Sequence, residues 1–260
     1  MFQLNNGVLV HFALLVVAGL IAGTMNAIAG GGSFVGFPAM VLAGLPPIAA
    51  NATNTVALFP GTLASTWAYR SELRGVAGIS LRLLVPVTFA GGAIGAVLLL
   101  VTPGAAFDVV VPWLLLLATL TFAAGPRPGQ WLRRRVRISR STLLTVQFIL
   151  AIYGGYFGGA IGLMMMAAWT LIDSSDLKIL AGSRTLLVST ANGAAVICFL
   201  AAGVVRLPEM LAMMLSAIVG GYFGARLALF LPVRVLRMFI VGLSAVVTLG
   251  FFLRTLRLVG

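Results

Sequence analysis

The chain has 260 residues, 61% of them hydrophobic and 8% charged, with a mean hydropathy of +1.13. Soluble domains carry about 25% charged residues, so the composition excludes an ordinary water-soluble fold and makes a bilayer the solvent. Seventeen Lys and Arg against five Asp and Glu leave a net charge of +12, but the basic residues are not spread over a soluble face, which argues against nucleic acid as a partner.

The first ten residues contain no Lys or Arg and no short apolar stretch ahead of a cleavage site. The first apolar run, 8–28, therefore reads as a retained helix and not a signal peptide. His11, the only histidine, falls near its start at the interface, so neither a metal site nor a catalytic triad can be assembled around it. The run ends in "NAIAGGGS", Asn26 to Ser33. Gly30, Gly31 and Gly32 each weaken a helix by about 1 kcal/mol relative to Ala. Unwound backbone at membrane depth must be satisfied by protein or by a watery cavity. A break is expected here, with Ser33 as the N-cap of a short helix over 33–45 whose N–H groups and positive dipole end face an anion. Close packing of small residues is the alternative reading.

The next span, 49–69, opens with "AANATNTVALFP" behind Pro46 and Pro47. Asn51, Thr53, Asn54 and Thr55 place four neutral donors together with no carboxylate, which suits an anion better than a cation. Any of them could instead cap the helix. Trp67 and Tyr69 fit the interfacial belt. Spans at 81–102 and 107–124 complete a first half, residues 1–124.

Residues 125–141, "GPRPGQWLRRRVRISRS", hold six of the basic residues and divide the chain almost in half. The positive-inside rule assigns them to the cytoplasm, as a linker touching anionic lipid. The second half, 142–260, carries spans at 142–160, 162–173, 180–203, 208–230 and 234–254. The segments 33–45 and 162–173 are too short to cross comfortably at 1.5 Å per residue and read as half-helices of broken hairpins. Eight full spans plus re-entrant hairpins is the alternative to ten crossings. If all ten cross, both termini lie outside. Arg70, Arg74, Lys178, Arg234 and Arg237 then fall on the cytoplasmic side, with Arg206, Arg254 and Arg257 outside.

In the second half, "LMMMAAW" (163–169) reads as flexible packing, Asp173, Asp176 and Lys178 as a solvated connection, and Arg226 as a cytoplasmic anchor. Cys198, the only cysteine, sits in an apolar run as a packing residue and excludes an intramolecular disulfide framework. The span at 180–203 opens with Gly182, Ser183, Arg184 and Thr185. An arginine at the membrane end of an apolar helix either snorkels to the headgroups or offers its planar guanidinium to an oxyanion. The second role is favoured because Arg184 pairs with Asn54 when the halves are compared.

That comparison aligns "GGAIGAVLLLVTP" (91–103) with "GGYFGARLALFLP" (220–232), "NTVALFPGTLAS" (54–65) with "RTLLVSTANGAA" (184–195), and the first glycine break with "GGYFGGAIGLMMM". Three alignments in the same order, about 130 residues apart, indicate an internal duplication. Five spans per half would insert the second copy upside down, the inverted-repeat design of many secondary transporters. The second copy lacks the full glycine triple and has Thr170 where the first has Pro38, so the anion is expected nearer the first half.

The ordered set "NAIAGGGS", "FPAM", "GLPP", "ANATNTVA", the basic linker, "LAGSRTLL" and "GGYFGARLA" resembles the TauE/SafE sulfite exporter family, also called the toluene-sulfonate-uptake-permease family, over nearly the whole chain. The resemblance implies a multi-pass transporter of the cell inner membrane that moves sulfite, sulfoacetate or other small organic anions, usually outward. Carried over by motif, the site comprises Asn26, Gly30, Gly31, Gly32, Ser33, Asn51, Thr53, Asn54 and Thr55 with Gly182, Ser183, Arg184 and Thr185. The expectation is an all-α polytopic protein of two inverted repeats with a midplane anion site, no cofactor, metal or catalytic residue, and the bilayer and a small anion as partners. Homo-oligomerisation stays open. A passive anion channel differs from such a carrier in kinetics more than in residues. An intramembrane enzyme would need paired acidic residues within a span, which the five acidic residues do not supply.

Overall fold

A computed structural model describes residues 6–29, 31–124, 139–169, 180–227 and 233–259. Among these residues the chain is all-helical, with ten α-helices and no strand. The first half holds α1 (Asn6–Ala29), α2 (Ser33–Leu42), α3 (Pro47–Ala68), α4 (Leu81–Val101) and α5 (Gly104–Ala124). The second holds α6 (Arg140–Tyr156), α7 (Ile161–Trp169), α8 (Ala181–Ala201), α9 (Leu207–Leu227) and α10 (Val233–Val259). Each expected span has a helix, and the two short ones, α2 and α7, are half-helices of 10 and 9 residues. Most of the basic linker, together with Asp173, Asp176 and Lys178, lies outside the described residues.

Four helices are long and apolar enough to cross a membrane unaided: α1 over Gly7–Asn26, α4, α5 over Gly104–Thr121 and α8 over Gly182–Ala201. The outer surface is what lipid requires. Val10, Trp113, Leu215, Phe223 and Val246 are each more than 60% exposed, an arrangement that water would penalise and hydrocarbon does not. Packing inside relies on close backbone approach. A Cβ added at Gly23 of α1 would overlap the Ala217 carbonyl of α9, and one at Gly220 would overlap that of Leu20. Between α4 and α6, Gly95 lies against the Ile152 carbonyl and Gly155 against that of Gly92. Helix one of each half thus packs against helix four of the other. Helix three packs on three and five on five.

The breaks that create the half-helices have different causes. The first falls at the glycine triple, between Ala29 and Ser33. Gly32 lies under α1, where a Cβ would meet the Ala22 carbonyl and the Asn26 side chain. Ser33 does not cap α2. Gly32 already takes helical dihedrals (φ −57°, ψ −31°) and occupies the cap position without a side-chain bond, so Ser33 is the first helical residue. The second break runs through Gly158 (φ +76°) and Ala160 (φ +59°), two left-handed residues that turn the chain before Ile161. Likewise none of Asn51, Thr53, Asn54 or Thr55 caps α3. Pro46 and Pro47 start that helix, since proline is preorganised for the first helical position.

Both half-helices are held from the side. The Trp169 Nε1–H of α7 donates to Gln147 Oε1 (3.1 Å) and Gln147 Nε2 donates to Thr88 Oγ1 (2.9 Å), tying α7 to α6 and α4 inside an apolar cluster. On α2, Phe37 stacks on Phe251 and meets Phe107 and Phe157 edge-on. Anchored this way, α2 and α7 direct their N-termini toward the space between α3 and α8.

Candidate functional site

That space is a cavity of about 140 Å³. It is lined from the first half by Asn26, Ser33, Thr55, Leu58, Thr62, Ser65 and Tyr69, and from the second by Gly158, Ile161, Gly162, Arg184, Thr185, Val188 and Asn192. On α3 the lining residues follow the three-to-four spacing of one helical face from Thr55 to Tyr69, and on α8 the same spacing carries Arg184, Thr185, Val188 and Asn192. The two helices run antiparallel: Phe59 lies at Gly193, Thr66 Oγ1 is 2.8 Å from Ser189 Oγ, and Tyr69 lies at Gly182. Thr55 and Thr185, Leu58 and Val188, and Thr62 and Asn192 are each 130 positions apart, the offset at which the two halves of the sequence align.

Of the thirteen residues singled out from sequence, the structure brings Asn26, Ser33, Thr55, Arg184 and Thr185 to this cavity. Gly31 and Gly32 are buried beside it, and Gly30 lies outside the described residues. The others point elsewhere. Asn51 Nδ2 donates to the Tyr156 carbonyl (2.9 Å), and Thr53 Oγ1 accepts from the Arg206 N–H (3.0 Å). Asn54 is fully buried against Gly36 of α2 and Met213 of α9. Gly182 abuts the Tyr69 and Glu72 backbone, and Ser183 Oγ both donates to the Arg74 carbonyl and accepts from the Arg74 N–H, pinning the 70–80 connection to α8.

Sequence reasoning missed Thr62, Ser65, Tyr69 and Asn192. The signal was present. The first three lie 7, 10 and 14 residues beyond Thr55 on the same helical face, and Asn192 is the repeat partner of Thr62. The two halves contribute seven lining residues each, so the lining is not weighted toward the first half.

The cavity's polarity is one-sided. Among the described residues Arg184 is the only charged one in the lining, and no carboxylate faces it. The guanidinium has no ion-pair or hydrogen-bond partner among the described residues, and its stem lies over Gly162, whose missing side chain leaves it room. The hydroxyls are mostly committed. Thr55 donates to the Asn51 carbonyl (2.9 Å), Thr62 to Phe59 (2.8 Å), Ser65 to Gly61 (2.9 Å) and Thr185 to Gly182 (2.8 Å). The side-chain donors left uncommitted are Arg184, Asn26, Ser33, Tyr69 and Asn192. Asn192 Oδ1 is buried with no partner, and turning the amide over presents its NH₂ instead. The N-termini of α2 and α7 add backbone N–H groups and positive dipole ends, at Ser33 and at Ile161–Gly162. The guanidinium and the helix N-termini favour negative charge, and the neutral hydroxyls and amides can donate to it.

Size narrows the ligand. A volume of about 140 Å³ equals roughly four or five waters at about 30 Å³ each. It admits an oxyanion or a short carboxylate and excludes drug-sized ligands, which need about 300 Å³ or more. Asn26, Leu58, Ser65 and Tyr69 also line a larger, mainly apolar cavity of about 690 Å³ between α3 and α9, so the two cavities adjoin along α3. Tyr69, 39% exposed, stands at the end of α3 that leads to Arg70, Arg74 and Arg82.

Away from this cavity, His11 Nε2 lies 3.6 Å from Glu209 Oε1 where α1 and α9 begin. Beside them a third cavity of about 330 Å³ is lined by Ala43 to Pro46, Arg206, Pro208 and Glu209. It lies at the end of the molecule opposite to Tyr69. No group of three or more metal-ligating side chains occurs among the described residues.

A family model described as Sulfite exporter TauE/SafE matches residues 15–251. A probable membrane transporter protein of Haemophilus influenzae is 29% identical, with 91% of this chain and 92% of that protein covered. The probable membrane transporter protein ORF9 of a Sinorhizobium species is 31% identical over 89% of this chain and 88% of its own length. The probable membrane transporter protein YfcA of Escherichia coli is 27% identical, with coverages of 90% and 87%. No solved structure matches the chain.

Proposed function

The chain belongs to the TauE/SafE sulfite exporter family, and from that premise we propose that it carries small oxyanions, sulfite and short sulfonates among them, out of the cell through the cavity between α3 and α8. It is a multi-pass membrane transporter of that type. The observation that carries the choice of an anion is Arg184, a cation with no ion-pair partner among the described residues, set beside two half-helix N-termini in a pocket whose described lining holds no carboxylate. A half-buried cation gains from being met, and a planar guanidinium meets two oxygens of one anion at once.

Alternating access follows from the symmetry. The antiparallel α3 and α8, the 130-residue spacing of paired lining residues, and the exchange of helices one and four between halves support the duplicated, inverted arrangement. The lining of α3 runs 14 residues, about 21 Å of helix, from Thr55 to the Tyr69 end. Arg70, Arg74, Arg82 and Arg140 cluster at that end, which the positive-inside rule assigns to the cytoplasm. Tyr69, partly exposed at that end, supports reading this conformation as the one in which an exporter loads.

Thermal unfolding of the purified protein in detergent tests the reading. Sulfite, sulfate, thiosulfate, sulfoacetate and acetate are each added as sodium salts against sodium chloride at matched ionic strength. At a concentration of about 100 Kd a bound anion stabilises by about 2.7 kcal/mol, several degrees of midpoint for a protein of this size. At least one oxyanion is expected to produce that rise. If no member of the set shifts the midpoint, the anion reading is wrong.

A further inference from the structure

We propose that Asn54 is a ligand of the opposite-facing conformation: it takes the anion after α2 moves away from it, and in the conformation described here it closes the path beyond the cavity. The proposal rests on the transport reading above and concerns the half of the pathway that the cavity does not reach.

Asn54 has no exposed surface, and neither atom of its amide has a hydrogen-bond partner among the described residues. Asn51, one turn earlier, leaves its Oδ1 equally unmet. A leucine has the same branched shape and wants no partner, so packing alone does not call for an amide here. Directly beyond Thr55, where the cavity stops, α3 therefore carries two buried amides with unused hydrogen-bonding capacity.

The groups that cover Asn54 are built for close approach. Its Oδ1 sits where a Cβ of residue 36 would be, so only the glycine at that position lets α2 lie on it, and Met213 Sδ lies 3.3 Å from the same point. As for α2, it is a ten-residue rod between the break at Gly31–Gly32 and Gly44 (φ +89°). Thr53, the residue before Asn54, bonds to the Arg206 N–H, and Arg206 lines the cavity at the far end of the molecule. Asn54 thus stands on α3 between Thr55, which lines the anion cavity, and Thr53, which holds the backbone of a far-side lining residue, and its contact with Gly36 is the closure the proposal assigns to this conformation.

The full-length protein in proteoliposomes tests this with Asn54→Leu. Sulfite flux is expected to fall at least tenfold, because the state that needs the amide is no longer reached productively. The midpoint of unfolding without anion should stay level or rise, and the anion-induced shift should be retained with an affinity within about twofold. Wild-type flux in the variant overturns the proposal. So does a parallel loss of anion binding, which would make Asn54 a ligand of the present state, and so does a lowered midpoint, which would make it a structural residue. A second measurement places Asn54→Cys in a Cys198→Ser background. A membrane-impermeant maleimide applied from the side opposite the basic linker should label it faster when anion is present, and labelling that never responds to anion contradicts the proposal. Failure of the transport reading is seen separately, as absence of anion flux and of anion-induced shift in the wild-type protein.

Discussion

Arg184→Ala is expected to remove anion-dependent stabilisation and to reduce anion flux by two orders of magnitude or more, while leaving the unliganded fold intact. Truncating one partner of a buried, hydrogen-bonded charge pair costs about 2–5 kcal/mol, and each 1.4 kcal/mol is roughly tenfold in affinity. Among the described residues Arg184 is the only charge lining the cavity, so none of its described neighbours takes its place. Because the guanidinium has no protein partner among the described residues, its removal strands no carboxylate. The midpoint of unfolding without anion should be unchanged or higher. Arg184→Lys keeps the charge but loses the two-pronged geometry and should fall between the two. Unchanged flux and anion response in Arg184→Ala would sink the assignment of this cavity.

The second large effect concerns the fold. Gly23→Val and Gly95→Val are each expected to destabilise by more than the usual 1–3 kcal/mol of an overpacked core. A side chain at either position meets backbone, the Ala217 carbonyl for Gly23 and the Ile152 carbonyl for Gly95, and backbone cannot rotate away. The measurement is the fraction of monodisperse protein and its midpoint of unfolding in detergent, with Gly250→Val as the comparison. Gly250 of α10 has nothing within 4 Å of an added Cβ, so that variant should behave like wild type. Equal stability of all three variants would show that helix pairs α1–α9 and α4–α6 are not packed as described.

The positions of the helices were legible because hydropathy alone demands them. Every apolar run corresponds to a helix, and the runs too short to cross are the half-helices α2 and α7. What hydropathy does not carry is direction around the helix. Asn51, Thr53, Asn54 and Thr55 sit within five consecutive residues, which turn through more than one full circle of α3. Thr53 cannot share a face with Asn51, Asn54 and Thr55, and of those three, which lie three and four apart, only Thr55 lines the cavity. Thr55 reaches the cavity, Asn51 and Asn54 enter the packing with α2 and the α6–α7 connection, and Thr53 turns to Arg206. Thr62, Ser65 and Tyr69 were in plain view but looked like interior hydroxyls and an interfacial aromatic. Only the three-to-four spacing from Thr55 joins them to the site. The cap role read into Ser33 failed for a local reason, since glycine adopts helical dihedrals and lets the helix begin one residue early. The lower glycine content of the second copy did not reveal how its helix breaks. Its break is made by two left-handed residues, Gly158 and Ala160, and does not need a triple.

Arg184 stood out from sequence because an arginine inside an apolar helix is expensive, and its repeat partner belongs to a polar cluster. The structure adds that both half-helix N-termini converge on the cavity it lines. The hydroxyls around it are largely committed to their own helices, which leaves two amides, Ser33, Tyr69, the backbone N–H groups and the guanidinium as the donors an anion would find.

Uptake of radiolabelled sulfite into proteoliposomes, with and without unlabelled sulfite inside, tests the account most directly. A carrier with one small oxyanion site should show saturable flux that speeds up when unlabelled anion is present on the far side. Flux no greater than that of protein-free liposomes, or flux that rises linearly with concentration and ignores the far side, would contradict it.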